Sequence, residues 1–273
     1  MARTMPEPLV LLSRDGDVVT LTFNDPSRLN AMTQAMGEAF SAAVAELAGD
    51  ASLRAVVLTG AGRAFSAGGD LTMIETRAAA GAANGPRGRA AIRDGMRSFY
   101  KLFLAVRELP CPTIAAINGA AIGAGLCVAL ACDVRIAAKE AKLGLNFTQL
   151  GLHPGMGATW TLPRLVGPAR AAEILYSSRV FTGEEAATIG LANRALAAAE
   201  VLPAARTLAA EFAAAAPLAV RGVKRALARS GEATLEDQLS FEAQEQAACF
   251  ESRDVHEGLA AVREKRLPKF EGR

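Results

Sequence analysis

The chain has 273 residues, a formal net charge of +2, 51% hydrophobic residues and 21% charged residues. This length suits one large domain with its own core, and the near-neutral charge argues against a nucleic-acid partner. Only 2 histidines are present, so we predict no metal site. With 28 Asp and Glu residues, carboxylate acid/base chemistry is the first expectation.

The first part of the chain predicts a hairpin, a helix and a buried strand. Apolar runs at 9–12 and 18–23 flank an Asp-Gly-Asp turn, a pattern that is typical of paired strands. Thr33 is a helix N-cap, because apolar residues follow it at helical spacing. The run 54–59 predicts a buried strand that ends in a Gly-Ala-Gly turn. The segment 78–89 is rich in Ala and Gly, and we predict a mobile loop there.

A charge-free stretch at 109–132 has the length to span a bilayer. Prolines and glycines divide it, however, so a buried strand at 113–117, a glycine turn and a buried helix at 123–131 explain its apolarity better. Short strands are predicted at 133–137 and 142–145. We therefore expect no membrane partner.

Strand and helix alternate up to about residue 195, which predicts the α/β class. Helices dominate from there to the C-terminus, so we predict a core at 1–198 that carries the functional site and a helical region at 199–273. The N-terminus lacks the basic and apolar segments of a signal peptide. The four cysteines have no CxxC spacing, which favours reduced thiols and a cytoplasmic location.

Two glycine-rich turns follow predicted strands, at 60–65 and 119–125. A dinucleotide site is disfavoured because Phe65 stands at the third glycine position, and a phosphate loop is disfavoured because the second turn lacks Lys-Ser/Thr. One hypothesis is that backbone N–H groups at two strand-to-helix turns bind one developing oxyanion. Two ordinary buried turns are the alternative, and spacing alone does not decide between them.

Several motifs in consistent order resemble the crotonase superfamily, the enoyl-CoA hydratase/isomerase group. They are AFSAGGDL at 64–71, PTIAAING at 112–119 running into GAG at 123–125, LGLHPG at 150–155, LPRLVG at 162–167, and the tail from Asp254 to Phe270. The resemblance runs from about Leu9 to Arg273. It implies a superhelix of repeated ββα turns with a C-terminal helical region that assembles a homotrimer or a dimer of trimers.

The resemblance also implies an acyl-CoA thioester as ligand, with CoA as part of the substrate and no separate cofactor. Carried over by position, the two oxyanion-hole donors are the backbone N–H groups of Ala67 and Ala124. Arg28 and Lys265 are implied contacts of CoA, the latter at a neighbouring subunit. The CoA channel is implied to be lined by Ala64, Ser66, Ala67, Gly68, Asp70 and Leu71.

The same resemblance exposes a departure in the acid/base residues. Hydratases of the family carry two Glu that activate water, and the matching positions here hold Cys127 and Phe147. Isomerases use the second Glu or an Asp after the loop proline, where this chain has Gly155. Carboxylates are therefore absent from all three usual positions.

Other groups are candidates for the missing chemistry. His153 is a candidate base, Glu75 is a candidate carboxylate, and Cys127 is a candidate nucleophile that an apolar helix would make unreactive. Neutral groups that would orient water are Asn146, Thr148 and Gln149. An apolar acyl pocket is suggested by Met73, Phe147, Met156 and Trp160, although core packing explains these equally.

Three functional hypotheses follow. The first is a lyase or isomerase of the enoyl-CoA hydratase/isomerase type, with weak or absent standard hydration. The alternatives are a non-catalytic acyl-CoA binding protein, or a decarboxylase or hydrolase that works by stabilising an enolate.

Overall fold

The computed structural model describes residues 7–273. The predicted absence of a leader peptide rests partly on residues 1–6, which lie outside the described residues. Strands of the described chain form two sheets. The six-stranded sheet has the order β1 (Val10–Asp15), β2 (Val18–Phe23), β3 (Ala55–Gly60), β5 (Thr113–Ile117), β7 (Val134–Ala138) and β10 (Arg194–Leu196). The four-stranded sheet has the order β4 (Ala64–Ser66), β6 (Ala120–Ile122), β8 (Lys142–Gly144) and β9 (Val180–Thr182).

Successive strands alternate between the two sheets, which produces the repeat. Each of β3, β5 and β7 lies in the larger sheet and pairs in parallel with the next of the three, and each of β4, β6 and β8 does the same in the smaller sheet. Each of these three turns of the chain, β3–β4, β5–β6 and β7–β8, therefore contributes one strand to each sheet before helical structure follows. The predicted α/β class and repeated ββα architecture are confirmed.

Helices cover the sheets and form the C-terminal region. They are α1 (Gln34–Ala48), α2 (Leu71–Leu104), α3 (Ala124–Ala131), α4 (Ala158–Val166), α5 (Pro168–Ser177), α6 (Gly183–Thr188), α7 (Ala198–Ala213), α8 (Pro217–Arg229), α9 (Leu235–Glu251) and α10 (Arg253–Glu264). Thr33 is the N-cap of α1 as predicted, because its hydroxyl accepts from the amide of Met36 over 3.1 Å.

The predicted loop at 78–89 is wrong, because the segment is helical within α2. Gly85 breaks this helix with φ 51° and ψ −137°, and Pro86 follows it. The guanidinium carbon of Arg77 lies 5.2 Å from the ring centroid of Phe99, whereas 22 residues of straight helix span ~33 Å. The chain therefore reverses at Gly85, and α2 is a helical hairpin. Alanine-rich sequence supports helix, and a single glycine suffices for the reversal.

The stretch with the length of a membrane span contains the predicted strand β5 and the predicted helix α3, and the predicted turn between them also holds the short strand β6. β5 and α3 are buried throughout, whereas β6 is fully buried only at its middle residue. Within residues 7–273, no helix combines the length and apolarity needed to cross a bilayer.

The first helix of the predicted C-terminal region belongs to the core. Val201, Ala205 and Ala209 of α7 are fully buried, and α7 packs on β3, β5 and β7. Beyond α7, helices α8, α9 and α10 pack mainly on one another. The domain boundary after residue 198 stays a prediction, but α7 covers the larger sheet rather than standing apart from it.

Candidate active site

A cavity of about 680 Å³ lies between the α2 hairpin, the turn after β4, the start of α3 and the loop after β8. Its wall is mostly apolar. Its polar side chains are few, which is typical of a ligand site that orients its ligand with a small number of groups. Those with a charge, hydroxyl, imidazole or amide are Arg28, Asp70, Arg77, Tyr100, Asn146 and His153.

The turn after β4, at residues 67–69, has one free amide, and it is not the predicted one. The N–H of Ala67 donates to the carbonyl of Leu29 over 2.9 Å. The N–H of Gly69 has no acceptor within residues 7–273, and Gly69 lines the cavity. The predicted donor, the N–H of Ala67, is therefore not available to a ligand, and the free N–H of this turn is that of Gly69. The motif alone does not reveal this, because the pairing partner of Ala67 comes from a distant turn.

The second turn supplies a free amide at the start of α3. Ala124 is the first residue of this helix and lines the cavity, so its N–H has no intrahelical acceptor. A Cβ built on Gly68 would lie 3.6 Å from the nitrogen of Ala124, which shows that the two turns are in contact. Pairing of β4 with β6 holds them side by side. Two unpaired donors thus lie on adjacent turns of one cavity.

Glycine at 68 is required by this close approach. Its φ is +93°, and a side chain there would collide with the carbonyl oxygen of Ile122. Ala64 and Ser66, predicted to line the channel, are instead buried beneath the turn and outside the cavity wall. The hydroxyl of Ser66 donates to the carbonyl of Asn30 and accepts from the amide of Gly68. Both residues therefore shape the turn rather than contact a ligand.

Arg28 and Asp70 form an ion pair at the rim of the cavity. The guanidinium lies 2.5 Å from the carboxylate, and half of the Arg28 side chain is exposed. Asp70 also caps α2 by accepting from the amide of Met73 over 2.9 Å. Among the residues that line the cavity in the described chain, Asp70 is the only carboxylate. Because Arg28 and the amide of Met73 both bind this carboxylate, the cavity wall offers no free acid.

The three positions implied for family carboxylates have different roles here. Cys127 is buried outside the cavity wall, and its thiol contacts the carbonyl of Gly155 over 3.7 Å. Burial raises the pKa of the Cys127 thiol to about 12, so it is neither ionised nor accessible as a nucleophile at neutral pH. Phe147 lines the cavity, and Gly155 lies against the side chain of Tyr100.

His153 lines the cavity with one ring nitrogen engaged by the backbone. Its Nδ1 lies 2.7 Å from the carbonyl oxygen of Pro154. A carbonyl only accepts, so Nδ1 carries a proton, and Nε2 is the ring nitrogen left to exchange a proton with a ligand. Among the cavity-lining residues of the described chain, this nitrogen is the side-chain group best suited to accept a proton.

Several other predicted candidates lie away from the cavity. Glu75 is exposed and does not line it, and Lys265 ends α10 on the surface. Thr148 bonds to Ser178, and Gln149 points to the carbonyl of Ser177. Trp160 packs under Arg164, 3.9 Å from its ring centroid, rather than in the cavity. Of the predicted apolar pocket, the wall contains Met73, Phe147 and Met156.

Tyr100 and Arg77 are site residues that the sequence did not indicate. Both lie on α2, on opposite arms of the hairpin. The two residues reach the same cavity because the helix reverses at Gly85. The sequence of segment 78–89 predicted only a loop and not this reversal. A tyrosine in a helix with apolar neighbours is otherwise an ordinary packing residue.

The fold and the paired turns define an α/β protein with alternating ββα turns and two backbone donors in one cavity. The enoyl-CoA hydratase/isomerase family model matches residues 13–273. A probable enoyl-CoA hydratase of Rhodobacter capsulatus is 39% identical over 256 residues, covering 94% of this chain and 95% of that protein. The short-chain-enoyl-CoA hydratase of Clostridium acetobutylicum is 34% identical, covering 96% and 97% of the two chains.

Among solved structures, a putative enoyl-CoA hydratase from Streptomyces coelicolor A3(2) superposes with a TM-score of 0.89 at 35% identity. The match covers 100% of this chain and 98% of that one. Sequence and fold agree along essentially the whole chain. The protein therefore belongs to the enoyl-CoA hydratase/isomerase family of the crotonase superfamily.

Proposed function

We propose that the protein binds an acyl-CoA thioester in this cavity and polarises its carbonyl with the N–H groups of Gly69 and Ala124. The observation that carries the proposal is the pair of free amides on two turns in contact. Two fixed donors in a mostly apolar cavity stabilise negative charge on oxygen far more than water does, because they need no reorganisation. A thioester that becomes an enolate develops its charge on that oxygen.

Arg28 is well placed to meet the phosphates of CoA at the rim. Its ion pair with Asp70 holds the guanidinium at the cavity edge while leaving half of it exposed. Such a cation attracts phosphate without being desolvated by the acyl end of the site. Lys265 is proposed to reach the nucleotide of a neighbouring subunit.

The acid/base chemistry is proposed to use groups other than carboxylates. Asp70 is occupied by Arg28 and the amide of Met73, which leaves Nε2 of His153 as the base. An exposed imidazole in a loop is a weaker device than two Glu that hold a water molecule. Standard hydration of crotonyl-CoA is therefore expected to be slow compared with typical family enzymes.

The shortage of free carboxylates favours a second candidate reaction. Decarboxylation or hydrolysis of an acyl-CoA through a stabilised enolate needs the oxyanion donors more than a strong base. A purely binding role without turnover is the further alternative. All three share the same ligand class and differ in what happens to it.

A homotrimer is proposed as the assembly. Large apolar side chains are exposed on the C-terminal helices and tail, among them Phe250, Val262 and Leu267. Exposed apolar residues at this density indicate a protein surface rather than solvent as their neighbour. Light scattering after gel filtration is expected to give three times the chain mass, or six times for a dimer of trimers.

Mass spectrometry of a thioester panel tests the proposal. The purified protein is incubated with saturated, 2-enoyl and carboxylated acyl-CoA esters, and both retained and converted species are measured. Retention with conversion supports the enzyme, and retention without any conversion supports the binding protein. If the protein retains none of the CoA thioesters, the whole proposal is contradicted. If it hydrates crotonyl-CoA at a rate typical of family enzymes, the proposed acid/base chemistry is contradicted.

A further inference from the structure

Tyr100 places a hydroxyl group inside the cavity. It lies on the returning arm of the α2 hairpin, is partly buried, and lines the wall. Its tip packs directly on Gly155: a Cβ built on that glycine would lie 2.8 Å from the ring carbon Cζ, and closer still to the hydroxyl. Only glycine at 155 leaves room for this phenol.

The hydroxyl shares the cavity with the two proposed oxyanion donors, because Tyr100, Gly69 and Ala124 all line it. Cys127, whose thiol contacts the carbonyl of Gly155, is one turn along α3 from Ala124. Residues three apart share a face of a helix, so Gly155 packs beside the face of α3 that begins at Ala124. The resemblance implied carboxylates at 127 and 155. Tyr100 thus fills the space that those side chains would border.

The hydroxyl is free to act on a ligand. Within residues 7–273 it makes no hydrogen bond, and it is not closed off from the cavity. Burial raises the pKa of Tyr100 above its ordinary value of 10.0, the neighbouring Cys127 raises it further, and Arg77 offsets part of the effect. Tyr100 therefore carries its proton at neutral pH, which suits a donor and not a base.

We propose that Tyr100 is a catalytic residue, the general acid that protonates the α-carbon of the enolate held by Gly69 and Ala124. This inference rests on the proposed function. The enolate electron pair forms the new Cα–H bond, the O–H bond of Tyr100 breaks, and the thioester carbonyl re-forms. The phenolate then regains a proton from solvent water, so atoms and charge balance over the cycle.

Other polar groups in the wall do not compete for this step. A guanidinium such as that of Arg77 is not an acid in proteins, and neither is the amide of Asn146. His153 is the base of the exchange: its Nδ1 proton is bonded to Pro154, and the exposed ring passes the proton that Nε2 removes to solvent before Tyr100 protonates the enolate. The only carboxylate on the wall in the described chain is paired with Arg28.

Deuterium incorporation from D₂O into the α-carbon of butyryl-CoA tests the step without any chemistry at the β-carbon. His153 removes the α-proton, and Tyr100 returns a deuteron. We expect Tyr100→Phe to lower the exchange rate by a factor on the order of 10² to 10⁴, the range of general-acid contributions, with the Kd for butyryl-CoA within about twofold. Tyr176→Phe, at the other tyrosine of the chain, is the matched control because that side chain is 82% exposed.

Every outcome of this experiment either supports or overturns the role of Tyr100. Loss of exchange with binding retained supports the role of Tyr100. Exchange at the wild-type rate in Tyr100→Phe overturns that role and leaves the proposed function intact. A parallel loss of binding and exchange also overturns it, because it indicates that Tyr100 only packs against its neighbours. Wild-type protein that binds butyryl-CoA without exchange overturns the acid step but not thioester binding, and absence of binding overturns both.

Discussion

The amide of Ala67 donates to the carbonyl of Leu29, and this 2.9 Å bond leaves the amide of Gly69 as the unpaired donor of the turn after β4. The bond ties the turn after β4 to the segment that follows β2. The free N–H of this turn is therefore two residues further along the chain than the predicted one. The proposed oxyanion site therefore depends on three chain segments rather than on one motif.

Removal of the Gly69 donor is expected to abolish most activity. Gly69→Pro deletes the N–H, and loss of one oxyanion donor costs on the order of 10² to 10³ in rate. Gly69→Ala is the control, because its added Cβ meets only Ile74 at 3.5 Å and the N–H remains. Exchange of butyryl-CoA in D₂O measures both. Equal rates for the two variants would show that this amide is not the donor.

Arg28→Ala is expected to weaken binding through CoA alone. The Kd for butyryl-CoA should rise by about three- to tenfold, whereas the Kd for butyryl-pantetheine, which lacks the nucleotide, should not change. The reason is that a partly exposed guanidinium contributes modestly to phosphate binding. Arg14→Ala, which breaks a remote surface pair with Asp50, is the control. An equal rise for both ligands would argue that Arg28 acts on the fold.

Gly155→Ala is expected to displace the hydroxyl of Tyr100. The added Cβ meets the tip of the phenol, which is the end of a side chain that can move. We expect a loss of exchange of roughly tenfold or more in the wild-type background and little further loss in Tyr100→Phe, since contacting residues are not additive. Additive losses in this double-mutant cycle would argue against the contact.

Buried thiols are expected to make the protein alkali-sensitive. The pKa of Cys127 is about 12 in the folded protein against an ordinary value of 9.0, so the folded state holds this proton more tightly than the unfolded state. Its stabilisation is complete below pH 9 and is lost as the pH rises from 9 towards 12. Between pH 8 and 10, wild-type protein should lose on the order of 1 kcal/mol more unfolding free energy than Cys127→Ala in urea titrations. The same pH dependence in both proteins would contradict this.

Two glycines of α2 should respond to alanine in opposite directions. Gly85 has φ +51°, so Gly85→Ala is expected to cost roughly 1–2 kcal/mol through backbone strain. Gly95 is helical, exposed and has open space around it, so Gly95→Ala should stabilise by up to about 1 kcal/mol. Thermal unfolding measures both changes. Stabilisation by Gly85→Ala would argue against the reversal at that residue.

Much of the fold was predictable because its signals are local. Apolar runs separated by turn residues placed β1, β2, β3 and β5, and Thr33 was identified from the helical spacing that follows it. The segment 78–89 failed because low bulk and glycine are compatible with either a loop or an alanine-rich helix. Packing of Arg77 on Phe99 across the reversal is a contact between distant residues.

The sequence by itself determined the family and the class of fold, because both depend on residue identity at motif positions. It also shows that positions 127, 147 and 155, where the resemblance implies acids, hold none. Only the tertiary structure decided which atoms are available. The carbonyl of Leu29 accepts the hydrogen bond of the Ala67 amide, and Arg28 forms an ion pair with the carboxylate of Asp70. The α2 hairpin brings the hydroxyl of Tyr100 to Gly155. Hydrogen bonds and contacts between distant segments depend on three-dimensional approach, which spacing along the chain does not encode.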